Sequence, residues 1–523
     1  MSNTHRLSPR WAALCSLTLV FAAAPAALAA PPPPPPVAPA PGPAPEARLV
    51  GEAREASPLG LTARVRAHAA VLGASSFPTD PDGTAYALDP TLDTQFRIRA
   101  DYRHAWGDGG RYILTLSYEH DLMSGVVLGG AEDFDGVDAP YTADADRSAL
   151  RVASARLSLG NALTLTAGAM TSHWGLGLVA NDGAHGWSPG SAMFSDPRGG
   201  DRVLGGILAT GPHADGDLLV FTGLESVLDD DVLVGDDSAW QALVGATYGP
   251  QGGAWQTGLY AVYREQESDT GARTTVGVVD VYAKLEHAGS DITLRAELEA
   301  ALIAGTTDLA PSPEHPQHDV LQAGAALRFA AEASHGGAVL DILLASGDPA
   351  FDDDTQSGFK ADRNFDLGLL FNDVVLAART ARTPVRADDP ELAAVPAEDL
   401  DRLPTRGAAT NTVSFFPRGW WRPVDGLELY GGVLIALSPT SESDAFNARL
   451  NGGAPQNALG GGPATLVATE FDAGLRASGL LWGTRVVLGL EGGVLLPGAG
   501  LTGPDGLGED PIYGGRVLAT WEL

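Results

Sequence analysis

Arg64, Arg66 and His68 stand two residues apart in LTARVRAH, and Arg97, Arg99 and Arg103 recur with even spacing in LDTQFRIRADYRHAW. A strand repeats every two residues, so each set falls on one face of one strand. The opposite face is apolar, with Leu61, Ala63, Val65 and Ala67 in the first segment and Leu92, Phe96, Ile98, Ala100 and Tyr102 in the second. Like charges directly opposite on adjacent strands repel. Such a ladder therefore needs facing carboxylates or bound anions. Arg516, near the end of the chain, joins it if the last strand closes beside the first. The chemistry on offer is attraction of anionic solutes, as rings of arginine provide in anion pores. The structural alternative is a wall network in which Asp93, Asp101 and Glu522 neutralise the arginines. A second pair of segments carries Lys284 and Glu286, then Arg295, Glu297 and Glu299, a mixed and net acidic set. Opposite signs on facing walls would set a transverse field across a lumen.

The elements that must position these residues are strands. From about residue 61 onward some 18 alternating segments can be laid out, from Leu61–Leu72 through Leu92–Trp106 and Arg111–Glu119 to Ile512–Leu523. Tight connections fall at Gly107–Gly110, Gly160–Asn161, Gly211–Gly216, Gly249–Gly253, His287–Ser290, Glu332–Gly337, Pro423–Gly426 and Leu481–Gly483. Most contain glycine, which hairpins requiring positive φ favour. Every intervening connection is expected to be longer, from roughly ten to over sixty residues. Short turns at one end, long loops at the other and an even count are the plan of a transmembrane antiparallel up-and-down β-barrel. That places the oily face outward, the polar face on the lumen and both termini on the periplasmic, short-turn side. A solenoid would show a fixed period, and a sandwich of this size would split into smaller domains with linkers; neither pattern is present.

Composition agrees. Hydrophobic residues are 44% and charged residues 19% of the 523, with mean hydropathy near zero. Past the N-terminus no apolar run approaches the ~20 residues of a spanning helix. Residues 1–29 read as a secretory signal: His5, Arg6 and Arg10 precede the apolar Trp11–Ala24, and Ala27-Leu28-Ala29 offers a cleavage site. Cleavage there removes Cys15, the single cysteine, so the mature chain forms no disulfide. Residues 30–50 are a Pro-rich spacer with polyproline character, and 51–523 form the barrel. The net charge of −32 argues against a nucleic-acid partner.

Two loops are large enough to matter. Thr171–Arg202 holds Trp174, Trp187 and Phe194 among glycines. Folded inward, it would form a constriction whose aromatics could stack on sugar rings; the alternative is an outer surface loop. Residues 346–411 form the longest connection, a plug or gate if turned inward, with a short helix expected near Glu391–Leu403. Its acids Asp352–Asp354 lack EF-hand spacing and read as solvated loop charge. No cofactor or metal is implied. No G-x-S-x-G, H-E-x-x-H, C-x-x-C or P-loop is present, so the chain is read as no enzyme.

The plan resembles alginate-export-type porins, in which about 18 strands surround an arginine-lined lumen, and also an uncharacterised proteobacterial outer-membrane family with Pro-rich leaders. The local motifs are His173-Trp174-Gly175-Leu176-Gly177, then Asn181-Asp182-Gly183, then Asp201-Arg202-Val203. The last strand puts Tyr513, Val517, Ala519, Trp521 and Leu523 on one face. This resembles the C-terminal signature read by the barrel-assembly machinery, except that Leu523 stands where that family usually has Phe. The resemblance implies an outer-membrane location, contact with membrane lipid and passage or export of small polar or anionic solutes, saccharides among them. The alternative is a closed or plugged barrel serving as adhesin, scaffold or envelope-structural protein.

Overall fold

The structure, a computed structural model, describes residues 59–523 apart from 129–141, 145–146, 185–190, 380–406 and short breaks at 197, 214–216, 231, 234–236, 251, 269–270, 309–314, 350–352, 366, 442 and 453. The Glu391–Leu403 helix, Asp352 and Trp187 lie outside the described residues.

Eighteen long strands close on themselves. In chain order they are β1 (Leu59–Pro78), β2 (Ala85–Trp106), β3 (Tyr112–Ser124), β4 (Arg147–Leu159), β5 (Leu163–Thr171), β6 (Arg202–His213), β7 (Leu218–Asp229), β8 (Ser238–Tyr248) and β9 (Trp255–Glu267). The second half runs β10 (Arg273–Ala288), β11 (Ile292–Thr307), β12 (His318–Ala333), β13 (Gly336–Ala345), β14 (Thr412–Val424), β15 (Leu427–Leu437), β16 (Leu466–Leu481), β17 (Thr484–Pro497) and β18 (Ile512–Glu522). Each pairs antiparallel with its sequence neighbours. The seam closes where β1 meets β18, with Ala67 opposite Trp521 and Ala70 opposite Leu518. Val65 and Leu523 exchange backbone hydrogen bonds there at 3.1 and 2.8 Å. Closure leaves no long unpaired edge, which is what permits strands to sit in hydrocarbon.

All eight tight connections join consecutive strands at one end. Gly107, Gly160, Gly249, Gly426 and Gly483 hold positive φ in them, which side chains resist. The other end is less uniform than its sequence suggests. Three connections expected to be long are residues 79–84, 230–237 and 268–272. The flanking strands continue past their alternating stretches, so length assigned to loops belongs to strands that rise higher.

Alternation sorts the two faces. Phe96, Ile98, Leu204, Leu224, Leu259, Leu302, Leu488 and Val517 are exposed on the outside, an apolar belt that only lipid covers favourably. Aromatic girdles bound it: Trp106, Tyr248, Trp255, Trp421 and Trp482 lie by the short turns, and Trp240, Tyr263 and Tyr513 by the loops. This is the surface of an outer-membrane barrel. The buried apolar core lies inside, where wall residues such as Leu343, Phe416 and Leu434 pack against loop residues Phe194, Phe359 and Leu370.

Candidate functional site: the lumen and the loops that fill it

Strands β1 and β2 set Arg64 opposite Arg99, Arg66 opposite Arg97 and His68 opposite Gln95, as the spacing required. What the ladder needed is supplied from β3, where Glu119 faces Arg99 and Asp121 faces Arg97. Arg97 forks onto Asp121, Nε to Oδ1 and Nη2 to Oδ2, both at 2.7 Å. Arg151 of β4 donates to Glu119 at 2.7 Å. Arg99 binds Asp101 at 2.8 Å and Glu119 at 3.2 Å. Of the three expected neutralising acids, Asp101 does so here. Asp93 instead meets Arg198 of the loop at 3.4 Å, and Glu522, opposite Arg66 in the seam register, also meets Arg485 at 3.6 Å. Arg516 is held by Glu491 of β17, Nε at 2.8 Å.

The network divides by height. Arg97, Glu119, Asp121 and Arg151 are buried, whereas Arg64 is exposed and the Arg99 side chain is 42% exposed. Below the buried level, toward the short turns, Arg64, Arg99, Arg103 and Arg156 share a wall with Asp101, Ser117, Thr164 and Thr166. Arg66, level with Arg97, stands opposite Glu522 at its upper edge. This vestibule wall is net basic.

The opposite wall keeps its mixed character. Arg295 pairs with Glu286, Nη2 at 3.0 Å, Glu297 accepts from Tyr282 at 2.9 Å, and Lys284 stands opposite Glu297 in the β10–β11 register. Glu299 is different. Its carboxylate accepts the backbone N–H groups of Leu176 and of Leu178, the latter at 3.0 Å. It therefore anchors the inserted loop instead of lining open water.

The described residues of 172–201 fold into the barrel. The Trp174 indole donates to Asp280 of β10 at 3.0 Å and stacks on Tyr260 of β9 at 5.3 Å. Phe194 packs between Phe416 and Tyr430, with centroids 6.1 and 5.0 Å away. Three wall arginines take successive loop carbonyls: Arg418 on Ala192, Arg476 on Met193 and Arg516 on Phe194. The inward turn of this loop accords with the constriction reading, but the Trp174 and Phe194 rings themselves face the wall. Both rings are buried as anchors because their apolar faces find partners on the wall.

The second loop also turns inward. Leu369, Leu370 and Phe371 donate their N–H groups to Glu470 of β16 at 2.7, 2.8 and 2.8 Å. One helical turn follows, Phe371–Leu376, with Val374 and Val375 fully buried. Leu370 seats over Gly493 and Gly514, where a Cβ on Gly514 would come within 2.3 Å of it. The loops grip each other, Asp362 N–H to the Leu178 carbonyl at 2.8 Å and Arg198 N–H to Asn364 Oδ1 at 3.0 Å. Together their described residues pack against the inner wall of the barrel.

One loop carboxylate stands among cations. Asp196 receives His68 Nε2 at 3.1 Å and Arg198 Nη2 at 2.6 Å. Burial alone would raise its pKa, but Arg198, His68 and Arg516 outweigh that and hold it well below the usual carboxylate value.

Reading one strand at a time missed Glu119, Asp121, Arg151, Arg418, Arg476, Glu470 and Glu491. A signal was present on β3, where Thr115, Ser117, Glu119 and Asp121 alternate with Leu114, Leu116, Tyr118 and Leu122.

No protein-family model matches the sequence, and no curated protein matches it. Solved structures do. OccK9 (OpdG) of Pseudomonas aeruginosa superposes with a TM-score of 0.50 at 13% identity, covering 88% of this chain and 98% of that one. OccK2 (OpdF) of the same organism, solved with glucuronate, gives 0.47 at 13% identity, 88% and 98% covered. OpdK, solved with vanillate, gives 0.48 at 13%, again 88% and 98%. What is shared is the barrel fold.

Proposed function

We propose that the protein is an outer-membrane channel for small organic anions, with the basic wall of β1 to β4 as its selecting surface. The observation that carries this is the vestibule, where five arginines, Arg64, Arg66, Arg99, Arg103 and Arg156, share a wall with three carboxylates, Asp101, Glu119 and Glu522. An exposed guanidinium attracts anions and, through its planar fork, fits carboxylates in particular. A mixed acidic and basic wall opposite keeps the lumen polar without cancelling the field beside β1 and β2. The resemblance to alginate-export-type porins adds a carboxylated saccharide as one form of solute, with export as one direction. Residues 1–29 as export signal and 30–50 as periplasmic spacer complete this proposal, and the last strand would be read by the assembly machinery. We read the chain as a channel and not an enzyme.

The inserted loops, if they close the lumen, favour a second reading, a closed barrel with a structural or adhesive role. Planar-bilayer recording of the refolded protein separates the two. Stable steps with a reversal potential on the anion side in a KCl gradient, reduced by Arg64→Ala with Arg99→Ala, support the channel. A folded, heat-modifiable barrel that never conducts favours the closed one.

A further inference from the structure

Asp196 belongs to an inserted loop, yet its carboxylate sits where a solute carboxylate would. His68 reaches Oδ1 at 3.0 Å, and its other ring nitrogen is fixed by Thr520 Oγ1 at 2.7 Å. Arg198 adds a charge-assisted hydrogen bond at 2.6 Å while also touching Asp93 at 3.4 Å. Arg66, whose buried Nε finds no hydrogen-bond partner, and Arg516, shared with Glu491, add positive potential from the wall. Glu522 is the remaining acid acting on Arg66 besides Asp121. Without Asp196 the His68 Nε2 and Arg198 Nη2 groups would lose this acceptor, and the buried Arg66 Nε already lacks one, so the cluster presents donors to an incoming anion.

The loop does not depend on this carboxylate for its place. On one side Arg516 holds the Phe194 carbonyl, and on the other the Arg198 N–H is held by Asn364. The cluster also stands directly above the basic vestibule, one pair step beyond Arg66 and Arg97 on β1 and β2. A solute anion drawn up that wall meets His68 and Arg198 next.

We propose that Asp196 is a tethered carboxylate occupying an anion site formed by His68, Arg66, Arg198 and Arg516, and that a small monocarboxylate competes with it for those donors. This rests on the channel reading for its role, though the site itself is tested without conduction. A tethered ligand acts at an effective concentration in the millimolar range, and apparent affinity for a competitor falls by the fraction of time the site is free.

The test is titration of 13C-labelled lactate against the refolded full chain in detergent micelles, read by line broadening. Asp196→Ala should bind lactate at least about tenfold more tightly than the wild type, and adding His68→Ala should abolish the gain. Asp196→Asn, nearly isosteric, carries the same expectation if the alanine variant does not fold. Folded variants that bind lactate no more tightly than the wild type overturn the proposal. A protein that conducts anions but shows no such gain loses this site alone. One that shows the gain yet never conducts keeps the site and loses the channel.

Discussion

Glu470 is fully buried on β16, and one carboxylate there receives three consecutive backbone N–H groups. Replacing it by alanine takes the acceptor from those three donors and leaves Asp472, its neighbour on the wall, as the nearest remaining acid. A hydrogen bond to a charged group contributes about 1.5–3 kcal/mol, so three give about 4.5–9 kcal/mol if nothing replaces them. Water entering the space left by the side chain returns part of this. A floor of about 3 kcal/mol remains, more than a hundredfold in a local opening equilibrium. The barrel strands do not share the loss, because their ladders are independent of the loop. Hydrogen exchange of the refolded protein, followed by mass spectrometry, reads the effect directly. Residues 369–371 should exchange at least about a hundredfold faster in Glu470→Ala, less so in Glu470→Gln, with β1 to β18 unchanged. Unaltered exchange at 369–371 in a folded Glu470→Ala barrel would refute the anchoring argument.

Other expectations follow from the same geometry. Arg97→Ala leaves Asp121 buried without its fork and should destabilise the barrel by ~3–5 kcal/mol, seen as a lower temperature for the heat-induced mobility shift. Arg99→Ala, partly exposed, should cost under about 1 kcal/mol while shifting the reversal potential; equal effects of the two substitutions would contradict the division by height. Gly514→Val drives a side chain into Leu370, and should displace the Phe371–Leu376 turn and raise conductance; a channel of unchanged conductance speaks against that turn as part of the obstruction. Leu488→Arg, placed in the lipid belt, should cost ~2–4 kcal/mol in unfolding from bilayers. Asp196 is held below its unfolded value near 3.9, so its stabilising pairing is complete above that value and lost only as pH falls through the depressed one. The lactate gap between wild type and Asp196→Ala should therefore persist from pH 7 to pH 5, and a gap that closes over this range counts against the assignment.

Much of the barrel was legible because alternation and turn chemistry are local. Leu61 to His68 declares both faces by itself, and glycines such as Gly160 and Gly483 mark reversals the backbone cannot make cheaply otherwise. The lumen was only half legible. Arg97 is visible from its own strand, but its partner Asp121 depends on register, which a single segment does not specify. Inward loops leave a weaker mark still. Phe365 to Ala378 (NFDLGLLFNDVVLAA with its leading Asn364) is an apolar, non-alternating stretch within a connection. It is too short to span a membrane and too oily to face water, so an inward-packing segment could have been suspected there. Its grip on Glu470, about a hundred residues away in sequence, could not.

The three carbonyl contacts that hold Ala192, Met193 and Phe194 join positions 226, 283 and 322 residues apart. Their arginines lie on β14, β16 and β18. A growing barrel that has laid down only its first thirteen strands already owns the earlier loop but has none of the three hands that fasten it. Contacts of such sequence separation form late. The inserted loop therefore gains these three fastenings only as the last strands join the wall. Of the three, a copy that lacks its last strand would thus keep those at the Ala192 and Met193 carbonyls alone.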